Sequence, residues 1–200
     1  VTVVVKDSNG IAIRHFTHPV VQGINRLNWD QSHDGVRPMP GLIPPEPDAD
    51  LPPGVEVPPG NYQVSISLGE GDKNQVEDTV AVTVGGDPRL AISAGQRAAH
   101  YQSMLALQEL QASTVSAVEF IVHTRSDLDT VDRLIAQQTA AAKNAAKDDA
   151  GLKKLAGQSA SLRKSLDALE AKFRVAPEIR GSVYADDRVE SRIGLAQAYV

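Results

Sequence analysis

Gly23-Ile24-Asn25-Arg26-Leu27-Asn28-Trp29-Asp30 is the stretch on which the first half of the chain turns. Ile24, Leu27 and the single Trp supply apolar bulk, while Asn25, Arg26 and Asn28 supply polar surface. The alternation predicts a half-buried strand with a large anchor near its end. Before it, the β-branched run Val1-Thr2-Val3-Val4-Val5 reads as a strand. Asp7-Ser8-Asn9-Gly10 reads as a tight turn, and Ile11 to Phe16 as the returning strand.

Beyond the anchor, residues 31–59 read as irregular. Nine of the twelve prolines fall between Pro38 and Pro59. Proline fixes φ and cannot donate to a ladder, so an extended, stiff loop is expected. Glu46, Asp48 and Asp50 make it acidic, and a solvated surface insertion is the expected role. Tyr62, Val64, Ile66 and Leu68 alternate as the next strand, Gly69-Glu70-Gly71-Asp72 as a turn, and Val76 to Val84 as the last strand. Gly85-Gly86-Asp87-Pro88 punctuates the chain, and the expected domain boundary lies there, at 86/87.

Past the double glycine the period changes. Ser93-Ala94-Gly95-Gln96 has the form of a capping box. From about residue 94 to 146 there is no proline, and Leu107, Leu110, Thr114, Ala117, Ile121, Thr124, Leu128, Val131 and Ile135 recur at three and four. One long helix, or two joined near Thr124 to Asp127, satisfies that pattern. A second helix is expected over about 149–174. There Leu152, Leu155, Ser159, Leu162, Leu166, Leu169 and Phe173 keep heptad a/d spacing. The short connection makes the preceding helix its antiparallel partner. Ser159 at an a position weakens that seam, which favours an intramolecular hairpin over an obligate coiled-coil dimer. A third helix is expected over about 183–200. The residues therefore predict an α+β chain in two parts. Residues 1–86 are expected to form a β-sandwich with a Pro-rich insertion over 37–59, and residues 87–200 an antiparallel helical hairpin or three-helix bundle. Trp29, Tyr62, Leu155, Leu162, Leu166 and Leu169 are the expected core.

Composition narrows the function. Net charge is −5 at pH 7, and the chain has no global basic face, so nucleic acid is not an expected partner. No apolar run reaches the ~20 residues that span a bilayer. Cysteine is absent, which excludes disulfides and thiolate metal sites. Aromatics are only 4% of the residues, so Ala, Val and Leu must do most of the packing. The chain begins at Val1, inside what reads as a strand, and the expectation is a mature form, a processed piece or a fragment.

No catalytic constellation emerges. Neither a Gly-x-Ser-x-Gly motif nor a phosphate loop is present. His15 and His18 are three apart, which on a strand sets them on opposite faces, and His100 and His123 are far apart on one helix. His33 stands alone. Glu46, Asp48, Asp50 and Asp34 match no calcium loop, and no catalytic residue, cofactor or metal is expected.

The run Val3 to Gly10, then Gly23 to Asp30 with Asp34-Gly35, then Pro59-Gly60-Asn61-Tyr62-Gln63-Val64, resembles the immunoglobulin-like, fibronectin-III-like module of flagellar hook-capping proteins. The chain departs from that module in its Pro-rich insertion between Val36 and Glu56. The order of a Trp-Asp sandwich, then Gly85 to Arg89, then a long helix with Gln108-Glu109-Leu110, resembles the C-terminal region of exported β-propeller proteins. These are the BNR-repeat, sortilin-like glycosyl hydrolases. That resemblance implies an extracytoplasmic location (secreted, periplasmic or cell-surface) and a non-catalytic accessory region. Its partner would be an adjacent β-propeller domain or a partner chain. The propeller's Asp-box repeats do not occur here, so no catalytic residue is transferred onto this chain. The alternative is a carbohydrate-binding accessory module, with the 31–59 loop and Tyr62 or Tyr101 as stacking platforms.

Overall fold

The computed structural model describes residues 1–41, 49–68, 75–144, 150–175 and 187–199. Among the described residues the chain is α+β: a four-stranded antiparallel sheet, a two-stranded sheet and three helices. It divides into two units. One comprises Val1–Arg37, Pro45–Ala112 and Gln197–Val200, and the other Pro38–Pro44 and Ser113–Ala196.

In the first unit, β1 (Thr2–Lys6), β2 (Ala12–Thr17), β5 (Gly60–Leu68) and β6 (Gln75–Val84) form a sheet of order β2-β1-β5-β6. The β1–β2 turn closes as its residues dictate. Asp7 Oδ1 accepts the amides of Asn9 and Ile11, and Gly10 sits at φ +81°, where a side chain would be strained. The buried core gathers Val5, Ile13, Val57 and Tyr62, with Trp29, Val64 and Val84 packed against it. The expected turn at residues 69–72 lies outside the described residues.

The Gly23–Asp30 stretch is not a strand. Gly23 adopts φ +116°, and Ile24 is fully exposed. The Asn25 side chain instead bonds locally, donating to the carbonyls of Val21 and Gly23 and accepting the Val21 amide. Such side-chain bonds compete with a ladder. Edge groups of β2 that a strand here would have paired find other partners. Asp34 Oδ1 accepts the His15 amide, and Asp50 Oδ2 accepts both the amide and the hydroxyl of Thr17. Trp29 still anchors. Its indole N–H donates to the Ser32 carbonyl, and its ring meets Tyr62 edge-on at 5.4 Å.

Residues 31–59 are not irregular throughout. β3 (Ser32–Asp34) and β4 (Pro53–Glu56) form the two-stranded sheet. Pro53 opens its strand, a place where a missing N–H is tolerated. Glu46 and Asp48 lie outside the described residues. Arg14, on β2, is buried beneath this sheet's edge. It donates to Asp34 and to the carbonyls of Leu51 and Pro52, and lies 3.7 Å from Asp30.

α1 (Ala94–Asn144) is one helix of 51 residues. Its capping box forms: the Gln96 amide donates to Ser93 Oγ, and Gln96 Oε1 accepts the Ser93 amide. α2 (Ala150–Phe173) follows, and α3 (Val189–Tyr199) is shorter than expected at its start, where residues 183–186 are outside the described range.

In the second unit, α2 runs antiparallel to α1, because Arg125 reaches Asp167 and Glu170 while Arg163 reaches Asp129 and Asp132. Ile121, Leu128 and Leu166 form the core there, with Phe173 against it. Leu155, Leu162 and Leu169 are exposed rather than buried. Of the two heptad rows, only Leu152, Ser159, Leu166 and Phe173 turn inward, so the pair does not pack as a two-row heptad seam.

Candidate functional site

A cleft of about 860 Å³ opens in the first unit, between β4 with its exit segment and the first turns of α1. That volume lies in the ~300–1,000 Å³ range of ligand sites. Val55, Val57, Pro58 and Pro59 form one wall, and Leu90, Ala91, Ile92 and Met104 the other. The polar lining comprises Glu56, Gln96, Arg97, His100 and Tyr101. Leu90 and Ile92 are 53% and 42% exposed, so the cleft presents apolar surface to water.

The walls are held by amide chemistry. Gln108, on α1, reads both short strands: its Oε1 accepts the Val55 amide, and its Nε2 donates to the Asp34 carbonyl. Gly54 lies against this bond, and a Cβ there would sit 2.5 Å from Gln108 Oε1. Gly35 meets the same strand, its added Cβ being 2.6 Å from the Pro53 carbonyl oxygen. Two turns earlier, the Tyr101 hydroxyl meets His33 Nε2 at 2.6 Å. Arg97 folds back, donating from Nη2 to the Ile92 carbonyl, which fixes the loop that carries Leu90 and Ile92.

Burial sets the protonation of these groups. Desolvation pushes Tyr101 above the usual phenol value, and the negative charge of Asp7 adds to it. Desolvation holds His33 below the usual imidazole value, against the opposing pull of Asp34 and Asp7. Tyr62 is likewise raised, first by desolvation, and donates its proton to the Pro58 carbonyl at 2.6 Å.

Several residues singled out by sequence fall elsewhere. Tyr62 is buried against Trp29 and cannot serve as a stacking platform. His100 lines the cleft, His15 and His123 are exposed, and the His18 carbonyl accepts from the amino terminus. Asp34 and Asp50 accept backbone and side-chain protons along β2. Among the described residues, no three His, Cys, Asp or Glu gather into a metal-holding group. Among them also, no helix is long and apolar enough to cross a membrane. The contribution of Gln108 and His33 was not anticipated. The spacing of Tyr101, Met104 and Gln108 on one helical face is the signal that would have found it.

A second hollow of about 520 Å³ lies on the four-stranded sheet, beside Trp29, lined by Phe16, Leu27, Val64, Ile66, Val80 and Val82 among others. Chemically, the first hollow offers mainly apolar contact with five polar side chains among it, and the second mixes apolar contact with Asn28, Gln31 and Thr83. No protein family, curated protein or solved structure matches this chain.

Proposed function

We propose that this chain is a non-catalytic accessory module that docks against another domain or chain. In this reading the sheets act as an immunoglobulin-like sandwich and the helices as a bundle. The setting is the exported β-propeller protein that the Trp-Asp and Gly85-to-Arg89 patterns imply, outside the cytoplasm. The supporting observation is the cleft walled by Val57, Pro58, Leu90 and Ile92, whose apolar surface is open to solvent. Such a surface suits an apolar segment of a partner, with Arg97 and His100 at its edge to fix a polar end.

The test is titration calorimetry of the chain with a β-propeller domain encoded in the same reading frame. Leu90→Glu and Ile92→Glu should weaken binding at least tenfold while leaving the circular dichroism unchanged. Hydrolysis of aryl glycosides or esters by the chain, at enzyme-like rates, would overturn the non-catalytic reading. Carbohydrate binding is the second reading, because Tyr101 lines the same cleft. Glycan-array binding lost on Tyr101→Ala would favour it over docking.

A further inference from the structure

The α1–α2 pair has two flanks, and they differ. The ion pairs of Arg125 with Asp167 and Glu170, and of Arg163 with Asp129 and Asp132, mark one flank. Helical residues advance about 100° each. Measured from the inward row through Leu128 and Leu166, Phe120, Val131 and Leu134 of α1 fall on the side away from those ion pairs. Leu155, Leu162 and Leu169 of α2 fall on the side away from them too. The two apolar rows therefore lie along the same open flank of the hairpin. Their exposures are 71%, 42% and 52% on α1, and 50%, 45% and 44% on α2.

We propose that this flank pairs with the same flank of a second copy of the chain. The proposal rests on the assembly reading above and names a partner for a different surface. Three observations point to a second copy. The leucines on α2 recur every seven residues, the spacing that seats another helix. Together the six side chains expose roughly 500 Å² of apolar area, within the ~300–600 Å² of a monomer's largest patch, which is often functional. That is more than half of the ~800 Å² per partner in a stable interface. The third observation is charge. Exposed Lys154 and Lys172 border the α2 row, and exposed Asp127 borders the α1 row. A two-fold axis along the hairpin places α1 on the partner's α2, and the reverse. Each helix then has antiparallel neighbours, and the lysine-bordered α2 row faces the Asp127-bordered α1 row of the partner.

Sedimentation equilibrium from 1 to 100 µM is the test. A dimer is expected, and Leu162→Glu should weaken it at least tenfold with helical circular dichroism retained. Leu162→Gln serves if the charged variant loses helicity. Leu90→Glu, in the cleft, should leave the dimer intact. A monomer throughout the range overturns the proposal and leaves docking at the cleft untouched. So does a dimer indifferent to Leu162, or a monomer that uses Leu162 to bind a helix of another protein. Loss of propeller binding in Leu90→Glu with the dimer preserved separates the two surfaces.

Discussion

The Tyr101 hydroxyl and His33 Nε2 stand 2.6 Å apart although 68 positions separate them. With the imidazole neutral, the phenol donates and the ring accepts. Burial favours that state on both sides: it lowers the affinity of His33 for a proton and raises that of Tyr101.

A pH dependence follows. The folded-state value of His33 is depressed below the usual 6.5. The unfolded chain therefore takes the proton first as pH falls. The contribution of this pair is present above pH 6.5 and is lost as pH drops through the folded value. Urea midpoints followed by the fluorescence of Trp29, the single Trp, should decline between pH 7.5 and 5.5. His33→Asn should flatten that decline. Parallel curves for the two proteins would show that another group titrates.

Tyr101→Phe removes the hydroxyl but keeps the ring that lines the cleft. The loss is one hydrogen bond, about 0.5–1.5 kcal/mol. The same fluorescence assay at pH 7.5 should show it, and a stability equal to wild type would mean that water replaces the imidazole at no cost.

Glycine spacing separates structural constraint from tolerance. At Gly54 an added Cβ would lie 2.7 Å from the Asp34 carbonyl oxygen, and at Gly35 it would lie 2.6 Å from that of Pro53. Backbone cannot yield as a side chain can, so Gly54→Ala should push β3 from β4 and cost about 1–3 kcal/mol. Faster hydrogen exchange at the Gly35 amide, which donates to Pro52, is the local readout. Gly157, on α2, has nothing within 4 Å of such a Cβ. Gly157→Ala should therefore stabilise the helical unit by about 0.5–1 kcal/mol.

Some local chemistry was readable where its partners were close in sequence, though the Asn25 bonds to Val21 and Gly23 were not. The Asn9-Gly10 turn and the Ser93–Gln96 cap form from neighbours, and both read correctly. Alternation around Trp29 misled because an extended coil and a strand share a period. What decided between them was the pair of carboxylates, Asp34 and Asp50, that occupy the edge of β2. The heptads of α2 identified two apolar rows, but not which row one partner helix would cover. The cleft joins residues 54–59 to residues 90–104, and no local pattern in either segment announces the other.

Arg14 makes a further prediction. It is 7% exposed and bonds to Asp34 and to the carbonyls of Leu51 and Pro52. Arg14→Ala would leave those acceptors without their donor, at a cost of about 1.5–3 kcal/mol, because water reaches the partly exposed Asp34. All three bonds leave from Nη1, so Arg14→Lys, whose ammonium carries three donors, should recover part of the loss but not the Nη2 approach to Asp30. Full recovery by lysine in Trp29-monitored unfolding would reduce the site to simple charge.

Glu170 is the corresponding group in the helical unit, and the contrast with its exposed neighbours tests how burial weights an ion pair. It is 2% exposed, and it accepts from Arg125 and, at 2.8 Å, from Arg174 Nε. Arg174 is itself 6% exposed and also donates to the Pro40 carbonyl. Glu170→Gln keeps the shape but removes the charge facing two guanidinium groups, one of them buried. The expected loss is about 3–5 kcal/mol, because an uncompensated buried cation remains. Arg125→Gln should cost less, about 1.5–3 kcal/mol, since Arg174 continues to pair with the carboxylate. Arg163 pairs with Asp129 and Asp132, which are 72% and 40% exposed. Water screens that pair, so Arg163→Gln should cost the least of the three. Unfolding followed at 222 nm ranks the three variants. A Glu170→Gln loss no larger than that of Arg163→Gln would mean that the buried pair only offsets its own desolvation, and that apolar packing holds α2 on α1.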